Sequence, residues 1–245
     1  MRINVFPTTE EMGRDAAKTI AAELNRAIAA RGCARLLLST GASQFSTLDA
    51  LVREEVDWSK VTMFHLDEYV ALPKTHIASF RKYLQERFVD IVHPQEAVFV
   101  SGEGDVQANI AALTERIRQA PIDVGVVGIG ENGHIAFNDP PADFETDAAY
   151  IVVDLDERCK RQQVGEGWFA TVDDVPKQAV SMTVSQIMSC RVIVSCVPDV
   201  RKADAIKNTL ASDVTNLVPA TILKTHPDWY LYLDAGSASG FACVK

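Results

Sequence analysis

The residues best suited to acid–base chemistry lie together in residues 122–141, which read IDVGVVGIGENGHIAFNDPP. This stretch carries Asn132, His134, Asn138 and Asp139 within eight residues. Histidine exchanges a proton near neutral pH, and a nearby carboxylate can hold its ring in one orientation. A lone histidine beside glycines could equally belong to a plain turn, so its polar neighbours favour a site for proton transfer.

The element that must position this histidine is an apolar, β-branched run over residues 122–127, typical of a buried strand in a parallel sheet. Residues 128–133 then match G-x-G-x-x-G, with Asp154 about 20 residues further on, as in a dinucleotide-binding fingerprint. That fingerprint requires a helix opening at the glycines. Pro140 and Pro141 exclude such a helix, so the pattern predicts a glycine-rich turn at the carboxyl end of a strand, where ligands bind in α/β sheets.

Two further stretches have the form of anion sites. A predicted strand over residues 35–39 runs through TGASQ into a helix, where unpaired backbone N–H groups and the helix dipole can attract an anion. The loop lacks the Gly-Lys-Ser/Thr ending of a Walker loop, and as a bare pattern it could be an ordinary turn. Lys202 falls in the first turn of a later helix, where its charge opposes the helix dipole. A third stretch, after a predicted strand over residues 61–66, carries Asp67 and Glu68, which suit either a solvated turn or a functional site.

Two of these motifs, GIGENGHIAFNDP and HLDEYVALPKTHIASFRKYL, resemble the glucosamine-6-phosphate deaminases. The family's other branch is 6-phosphogluconolactonase, and the resemblance extends over residues 36–234. It implies that His134 opens the sugar ring, oriented by Asn132 and Asp139, and that Asp67 carries a proton between C2 and C1. A carboxylate near its reference pKa of about 3.9 is too weak a base for this step. The pocket must therefore raise the pKa of Asp67 by burial or by a nearby acid, and Glu68 is a candidate.

The resemblance also implies a set of substrate contacts, with the phosphate held by the loop after the second strand and by a lysine. A mobile lid at about residues 155–173 would bring a basic residue, which the sequence narrows to Lys160 or Arg161. The predicted substrate-binding residues are Thr40, Gly41, Ala42, Ser43, Glu68, Gly133, Lys160, Arg161 and Lys202. At Asp139 the deaminases usually carry glutamate. The shorter side chain, by roughly 1.5 Å, predicts either a shifted histidine or a different substrate.

Composition and element order set the fold class. Strands alternate with helices, which predicts an α/β, three-layer, mostly parallel sheet with helices on both faces, Rossmann-like in form, within one domain over residues 1–245. Residues 150–153, 217–223 and 229–233 are predicted strands. A net charge of −9 and a pI near 5.1 give no support to nucleic-acid or membrane binding. Five cysteines without a C-x-x-C pair, and no leader segment, predict a cytoplasmic protein.

The chemistry implied by the resemblance needs no cofactor or metal. Two alternatives to deamination stay open at this level: hydrolysis of 6-phosphogluconolactone, which would use the same phosphate site and histidine, and a non-catalytic sugar-phosphate sensor. Sensors of related fold usually carry a DNA-binding helix-turn-helix, whereas this chain starts directly on its first strand. The sequence leaves open which amino-sugar epimer is the substrate and whether the chain forms a homo-oligomer.

Overall fold

The computed structural model describes residues 1–165 and 167–240, which form an α/β fold built on a seven-stranded sheet and a smaller three-stranded sheet. The strands are β1 (Arg2–Phe6), β2 (Ala34–Leu38), β3 (Val61–His65), β4 (Asp67–Tyr69), β5 (Glu96–Val98), β6 (Val124–Val126), β7 (Tyr150–Asp154), β8 (Gln178–Met182), β9 (Val192–Val197) and β10 (Trp229–Asp234). The α-helices are α1 (Thr9–Arg31), α2 (Phe45–Leu51), α3 (Phe80–Leu84), α4 (Asp90–Val92), α5 (Val106–Ile117), α6 (Glu157–Gly165), α7 (Val184–Met188) and α8 (Ala203–Ala211). A π-helical turn, Gln85–Val89, joins α3 to α4.

Helix α1 shows how the sequence sets an element's limits. The Thr8 side chain accepts a hydrogen bond from the Glu11 N–H. Acidic residues occupy the first turn, where their negative charge interacts favourably with the helix dipole. The helix ends at Gly32, which adopts φ 78°, a left-handed conformation that glycine reaches without steric cost. Both limits are therefore set by residues within the helix-capping segments themselves.

Helices cover both faces of the large sheet, as predicted. One apolar cluster joins α1, α2 and α3 to alternate side chains of β2, including Leu36 and Leu38. The other joins α5, α7 and α8 to the opposite face of the same strand through Leu37. Side chains of a strand alternate between faces, and both faces of β2 are buried, so its sequence is apolar throughout. No helix among the described residues is long and apolar enough to cross a membrane.

The order of the large sheet fixes where a ligand can bind. The strands run β1-β10-β9-β6-β2-β3-β5, and every neighbouring pair is parallel. From β2 the chain moves outward to β3 and β5, and then β6 returns to the other side of β2. The strand order therefore reverses between β2 and β6. In open α/β sheets the crevice at the carboxyl ends of such a strand pair is the usual binding site.

The smaller sheet, β4-β8-β7, is antiparallel and was not predicted. Leu66 connects the two sheets: its N–H donates to Leu38 O at 3.2 Å, and its carbonyl accepts from Met182 N–H at 2.7 Å. The strand predicted near residues 150–153 exists, but it belongs to this second sheet as β7. Asp67 likewise begins a new strand, β4, rather than ending β3.

The strand predicted over residues 217–223 is wrong, because this segment forms a 3-10 helix, Pro219–Thr225. Proline at the first helical position has the φ that a helix requires and loses no hydrogen bond there. The Thr221 hydroxyl also accepts from Thr215 N–H at 2.9 Å and donates to Val218 O at 2.7 Å, which favours the tight turn. A short apolar run does not by itself distinguish a buried strand from a buried helical turn.

Candidate active site

A cavity of about 280 Å³ opens at the carboxyl ends of the central strands, beside the point where the strand order reverses. Loops after β2, β3, β6 and β9 form most of its wall, and the segment around α6 covers one side. The lining residues are Thr9, Ser39, Thr40, Gly41, Ala42, Ser43, Leu66, Asp67, Phe80, Gly128, Ile129, Gly130, Glu131, His134, Ala136, Phe137, Gln163, Trp168, Pro198, Asp199, Arg201 and Lys202.

The turn after β6 holds His134 against its own backbone. A Cβ at Gly130 would lie 2.2 Å from His134 Nε2, so only glycine lets the imidazole lie over this peptide. The His134 N–H donates to Asn132 Oδ1 at 3.0 Å, and Asn132 Nδ2 donates to Asp139 Oδ1 at 2.8 Å. The same Asp139 oxygen lies 3.0 Å from His134 Nδ1. Asn132 and Asp139 thus surround the histidine without lining the cavity themselves.

The smaller sheet fixes the position of this turn relative to Asp67. In the β4–β8 pair Asp67 lies opposite Ser181, whose Oγ accepts a hydrogen bond from Phe137 N–H at 3.1 Å. Asn138 Nδ2 donates to the carbonyls of Ile135 and Met182, each at 2.8 Å. Two buried polar side chains therefore connect the histidine turn to the strand next to Asp67. One network of hydrogen bonds therefore fixes the positions of Asp67 and His134 relative to each other.

Asp67 has the environment of a general base. The residue is only 7% exposed, and burial, followed by the charge of Glu68, raises the pKa of the carboxyl to about 8. Loss of water disfavours the charged form, and a like charge nearby disfavours it further. The requirement that the pocket raise the pKa of Asp67 through burial or through Glu68 is confirmed. Perturbed carboxyls of this kind, located in a cavity, are characteristic of functional sites.

Glu68 was predicted to contact the substrate, but it is fully buried and does not line the cavity. Its carboxylate accepts hydrogen bonds from Ser79 Oγ at 2.8 Å and from Arg81 N–H and Nε at 3.0 and 3.1 Å. It also accepts from Phe80 N–H at 3.2 Å. These donors anchor the start of α3 to β4. The geometry gives Glu68 a structural and electrostatic role, because its oxygens are already bound by protein donors.

Gly133, also predicted to bind substrate, lies beneath the turn and outside the cavity wall. It adopts φ +83°, and a Cβ there would lie 2.9 Å from Val218 Cγ1. Its carbonyl accepts from Ala220 N–H at 2.8 Å. Glycine is needed at this position by the backbone conformation and by close packing against the Pro219–Thr225 helix.

The loop after β2 lines the cavity with Thr40, Gly41, Ala42 and Ser43, as the sequence predicted. Gly41 adopts φ +96°, and the chain then enters a 3-10 turn, Ala42–Gln44, that continues into α2. The hydroxyl of Tyr83 donates to Gly41 O at 3.1 Å and holds the loop from the outside. A loop that leads into a helix start offers backbone N–H groups to an anion.

Lys202 lies in the cavity wall, in the 3-10 turn Val200–Lys202 that leads into α8. The residue is 8% exposed, so its charge faces a site partly shielded from water. The neighbouring Arg201 lines the same cavity and forms an ion pair with Asp199 at 2.9 Å. This hydrogen-bonded pair lowers the pKa of Asp199. Lys202 and Arg201 line this end of the cavity together with Asp199, so the two cations outnumber the carboxylate and make it the positive end.

The segment around α6 does not place its predicted cations in the cavity. Lys160 Nζ lies 3.6 Å from Glu157 Oε1, Arg161 is exposed, and neither residue lines the wall. Helical periodicity explains the position of Arg161, because Gln163, two residues further on and so on the opposite side of the helix, is buried against β4. Lys160 lies one turn before Gln163 on the same side, but its amine lies near Glu157 instead. The lid residues that reach the cavity are instead Gln163 and Trp168.

Several lining residues were not singled out from the sequence. Arg201 adjoins Lys202 in a turn already predicted to attract anions, so its charge was an available signal. Glu131 lies in the GIGENGH motif itself, between Gly130 and Asn132. Thr9 and Gln163 are different, because only the tertiary fold brings α1 and α6 to this edge of the sheet.

Residues 7–231 match the family model of glucosamine-6-phosphate isomerases and 6-phosphogluconolactonases. The chain belongs to this family of α/β proteins. Within it, the chain is similar to a glucosamine-6-phosphate deaminase of Halothermothrix orenii, with 35% identity over 247 residues, 98% of this chain and 99% of the relative.

Solved structures of both branches of the family share the fold of this chain. A monomeric glucosamine-6-phosphate deaminase has a TM-score of 0.90 and 27% identity, with 98% of this chain and 100% of that chain covered. A 6-phosphogluconolactonase from Shewanella baltica has a TM-score of 0.78 and 21% identity, covering 96% and 98% of the two chains. At that identity the lactonase shares the fold alone.

Proposed function

We propose that this protein is an enzyme that converts an amino-sugar 6-phosphate into a keto-sugar phosphate and ammonia, with glucosamine 6-phosphate as the substrate. The proposal rests on one observation: Asp67 and His134 line the same cavity, and that cavity has a positive end. Asp67 is a buried carboxyl with a pKa of about 8. Proton transfer at carbon requires such a base, together with a fixed substrate. The deaminase relatives add support over nearly the whole chain.

The phosphate occupies the positive end in this proposal. Backbone N–H groups of residues 40–43 and the charges of Lys202 and Arg201 supply the donors, and the loop held by Tyr83 supplies the shape. A net charge of −9 means that the rest of the protein does not attract a phosphate. The local cations therefore carry most of the anion affinity.

His134 opens the sugar ring in this mechanism. It transfers a proton between the anomeric hydroxyl and the ring oxygen, which converts the cyclic sugar to the open-chain aldehyde. Asp139, 3.0 Å from Nδ1, orients the ring and stabilises the imidazolium when it forms. Asn132 in turn fixes Asp139 through its Nδ2 hydrogen bond.

Asp67 then moves the proton. Its ionised carboxylate removes the proton from C2 while the C1 carbonyl oxygen takes up a proton from the C2 ammonium, which gives an enolamine, and the same carboxyl group then returns its proton to C1. The amine at C2 is left as an imine, which water hydrolyses to the ketone with release of ammonia. A base with a pKa of about 8 matches this task better than an ordinary aspartate, since proton affinity and ionised fraction are balanced near the working pH.

The segment over residues 155–173, of which residue 166 lies outside the described structure, serves as the lid. It covers the cavity through Gln163 and Trp168, which gives it contact with the sugar rather than with the phosphate. The basic group near the phosphate comes from Arg201 instead of Lys160 or Arg161. Exclusion of water by such a cover strengthens the charge interactions inside.

The test is release of ammonia from glucosamine 6-phosphate and galactosamine 6-phosphate, run beside hydrolysis of 6-phosphogluconolactone. We expect ammonia with the glucosamine ester, and Asp67→Asn should abolish its release while leaving sugar-phosphate binding mostly intact. Lactone hydrolysis without ammonia would overturn the proposal in favour of the lactonase chemistry. Tight binding of hexosamine phosphates without turnover would favour a sensor.

A further inference from the structure

We propose that Gln163 is a specificity-determining residue that donates a hydrogen bond to a hydroxyl oxygen at C3 or C4 of the bound sugar phosphate. The proposal rests on the proposed function, because it assumes that the cavity holds a sugar 6-phosphate. Gln163 lines the cavity and is 8% exposed, so its amide lies in a site largely shielded from solvent.

The orientation of this amide is fixed by the protein. Tyr69 Oη donates to Gln163 Oε1 at 2.7 Å, which leaves Nε2 at the other end of the amide plane. Tyr69 itself is fully buried among Phe80, Phe137 and Phe169, at ring-centroid distances of 5.0–5.5 Å. A hydroxyl packed in this way has little freedom to move. The carbonyl end of the amide is therefore bound, and the donor end is available.

No described group accepts a hydrogen bond from Gln163 Nε2. Nε2 is not among the fully buried atoms that lack a partner, so it is open to the cavity, where an acceptor on a ligand can replace solvent as its partner. The missing partner must be an acceptor, and a sugar hydroxyl oxygen is the acceptor that the proposed substrate offers. Gln163 would then reject ligands that lack this oxygen.

The position along the sugar follows from the two ends of the cavity. Tyr69 is two residues beyond Asp67 in β4, and side chains two apart in a strand lie on the same face. Gln163 is therefore held on the same face of β4 as Asp67, which binds the reacting C1 and C2 in the proposed function. The phosphate on C6 lies at the other end, with the loop and Lys202. The hydroxyls between these ends are those at C3 and C4.

The test uses an unreactive ligand, 2-amino-2-deoxyglucitol 6-phosphate, and its 3-deoxy and 4-deoxy analogues, with affinities measured by calorimetry. Removing the recognised hydroxyl should weaken binding to the wild-type protein by roughly 3- to 10-fold, the usual worth of one hydrogen bond. Gln163→Ala and the similarly sized Gln163→Met should bind the parent ligand more weakly by a similar factor. Neither variant should discriminate against the analogue.

Two further variants separate recognition from packing. Gln163→Glu keeps the shape and the acceptor for Tyr69 but loses the donors, so it should lose discrimination as well. Gln178→Ala removes a glutamine amide on β8 that donates to Asp154 on β7, outside the cavity wall, and should retain full discrimination. If the variants bind all ligands more weakly but keep the wild-type preference, Gln163 only supports the lid and the proposal is overturned.

This measurement is independent of turnover. A protein that binds the glucitol ligand with Gln163-dependent discrimination but releases no ammonia would sink the proposed deamination alone. Ammonia release with undiminished discrimination in Gln163→Ala would sink the role of Gln163 alone. If the wild-type protein did not bind the glucitol ligand at millimolar concentration, the role of Gln163 in recognition would also be overturned.

Discussion

His134 Nδ1 lies 3.0 Å from Asp139 Oδ1, so the short aspartate side chain reaches the histidine. Asn132 completes the arrangement, because its side chain bonds both the Asp139 carboxylate and the His134 N–H. The sequence predicted that aspartate in place of the family's usual glutamate requires either a shifted histidine or a different substrate. The tight turn between Gly130 and Asp139 brings the two side chains together instead.

Replacing Asp139 with asparagine should slow turnover without preventing substrate binding. The substituted amide could keep an oxygen near Asn132 Nδ2, but it would remove the negative charge that stabilises a protonated His134. We expect kcat to fall by about 10- to 100-fold, as for comparable losses of an orienting group, while KM changes little. Steady-state measurement of ammonia release checks this. Asp147→Asn, an exposed position in the following loop, is the matched control, and equal kcat values for the two variants would contradict the role of Asp139.

Asp67→Asn should change how the stability of the protein depends on pH. The pKa of Asp67 is raised from 3.8 to about 8 in the folded protein, so its contribution to folding is fully present below about pH 4 and is lost as pH rises toward 8. The loss can reach about 1.4 kcal/mol per pH unit in that window. Asparagine does not titrate, so the free energy of unfolding of the variant, relative to wild type, should increase from pH 5 to pH 8.

Urea denaturation at several pH values measures this difference. Only its change with pH matters, because the asparagine amide also adds a constant packing effect. Asp147→Asn controls for removal of a carboxylate at an exposed site and should give a flat difference. Parallel stability curves for Asp67→Asn and wild type would mean that Asp67 titrates in the folded protein as it does in the unfolded chain.

The sequence predicted the parts of the site that are local in the chain. Asn132, His134 and Asp139 lie in one turn, so their contact follows from a glycine-rich segment that ends a buried strand. Residues 40–43 and Lys202 follow from strand-to-helix loops at the same sheet edge. The β4–β8 pairing could not be predicted in this way, because β4 is only three residues long and its partner Ser181 is distant in sequence.

The lid illustrates a different limit. Charge drew attention to Lys160 and Arg161, but the side of α6 that faces the cavity is set by packing of Gln163 against Tyr69. A helix with few apolar residues gives little indication of which side is buried. Arg201 was missed because the adjacent Lys202 already supplied a cation for the predicted anion site. The Arg201 side chain is mostly exposed.

Lys202→Ala should weaken phosphate recognition more than it slows chemistry. The lysine is buried in the cavity wall at the positive end, where a charge-assisted hydrogen bond contributes about 1.5–3 kcal/mol. We expect KM for the sugar phosphate and the inhibition constant of inorganic phosphate to rise together, by about 10- to 100-fold. Lys207→Ala, at an exposed position of α8, should leave both unchanged. A rise in KM without a change in phosphate inhibition would assign Lys202 to another part of the substrate.

Tyr83→Phe should loosen the phosphate loop without touching the ligand. The Tyr83 ring stacks on Phe45 at a centroid distance of 5.7 Å, and burial raises the pKa of its hydroxyl, which remains a neutral donor to Gly41 O at 3.1 Å. Phenylalanine keeps the stacking and loses only this hydrogen bond, worth about 0.5–1.5 kcal/mol. We therefore expect inorganic phosphate to inhibit roughly 2- to 10-fold less well and kcat to remain near the wild-type value. Tyr230→Phe, on β10 and outside the cavity wall, is the control for removal of a hydroxyl. If kcat fell in Tyr83→Phe while phosphate inhibition stayed the same, Gly41 would have to position the reacting carbons rather than the phosphate.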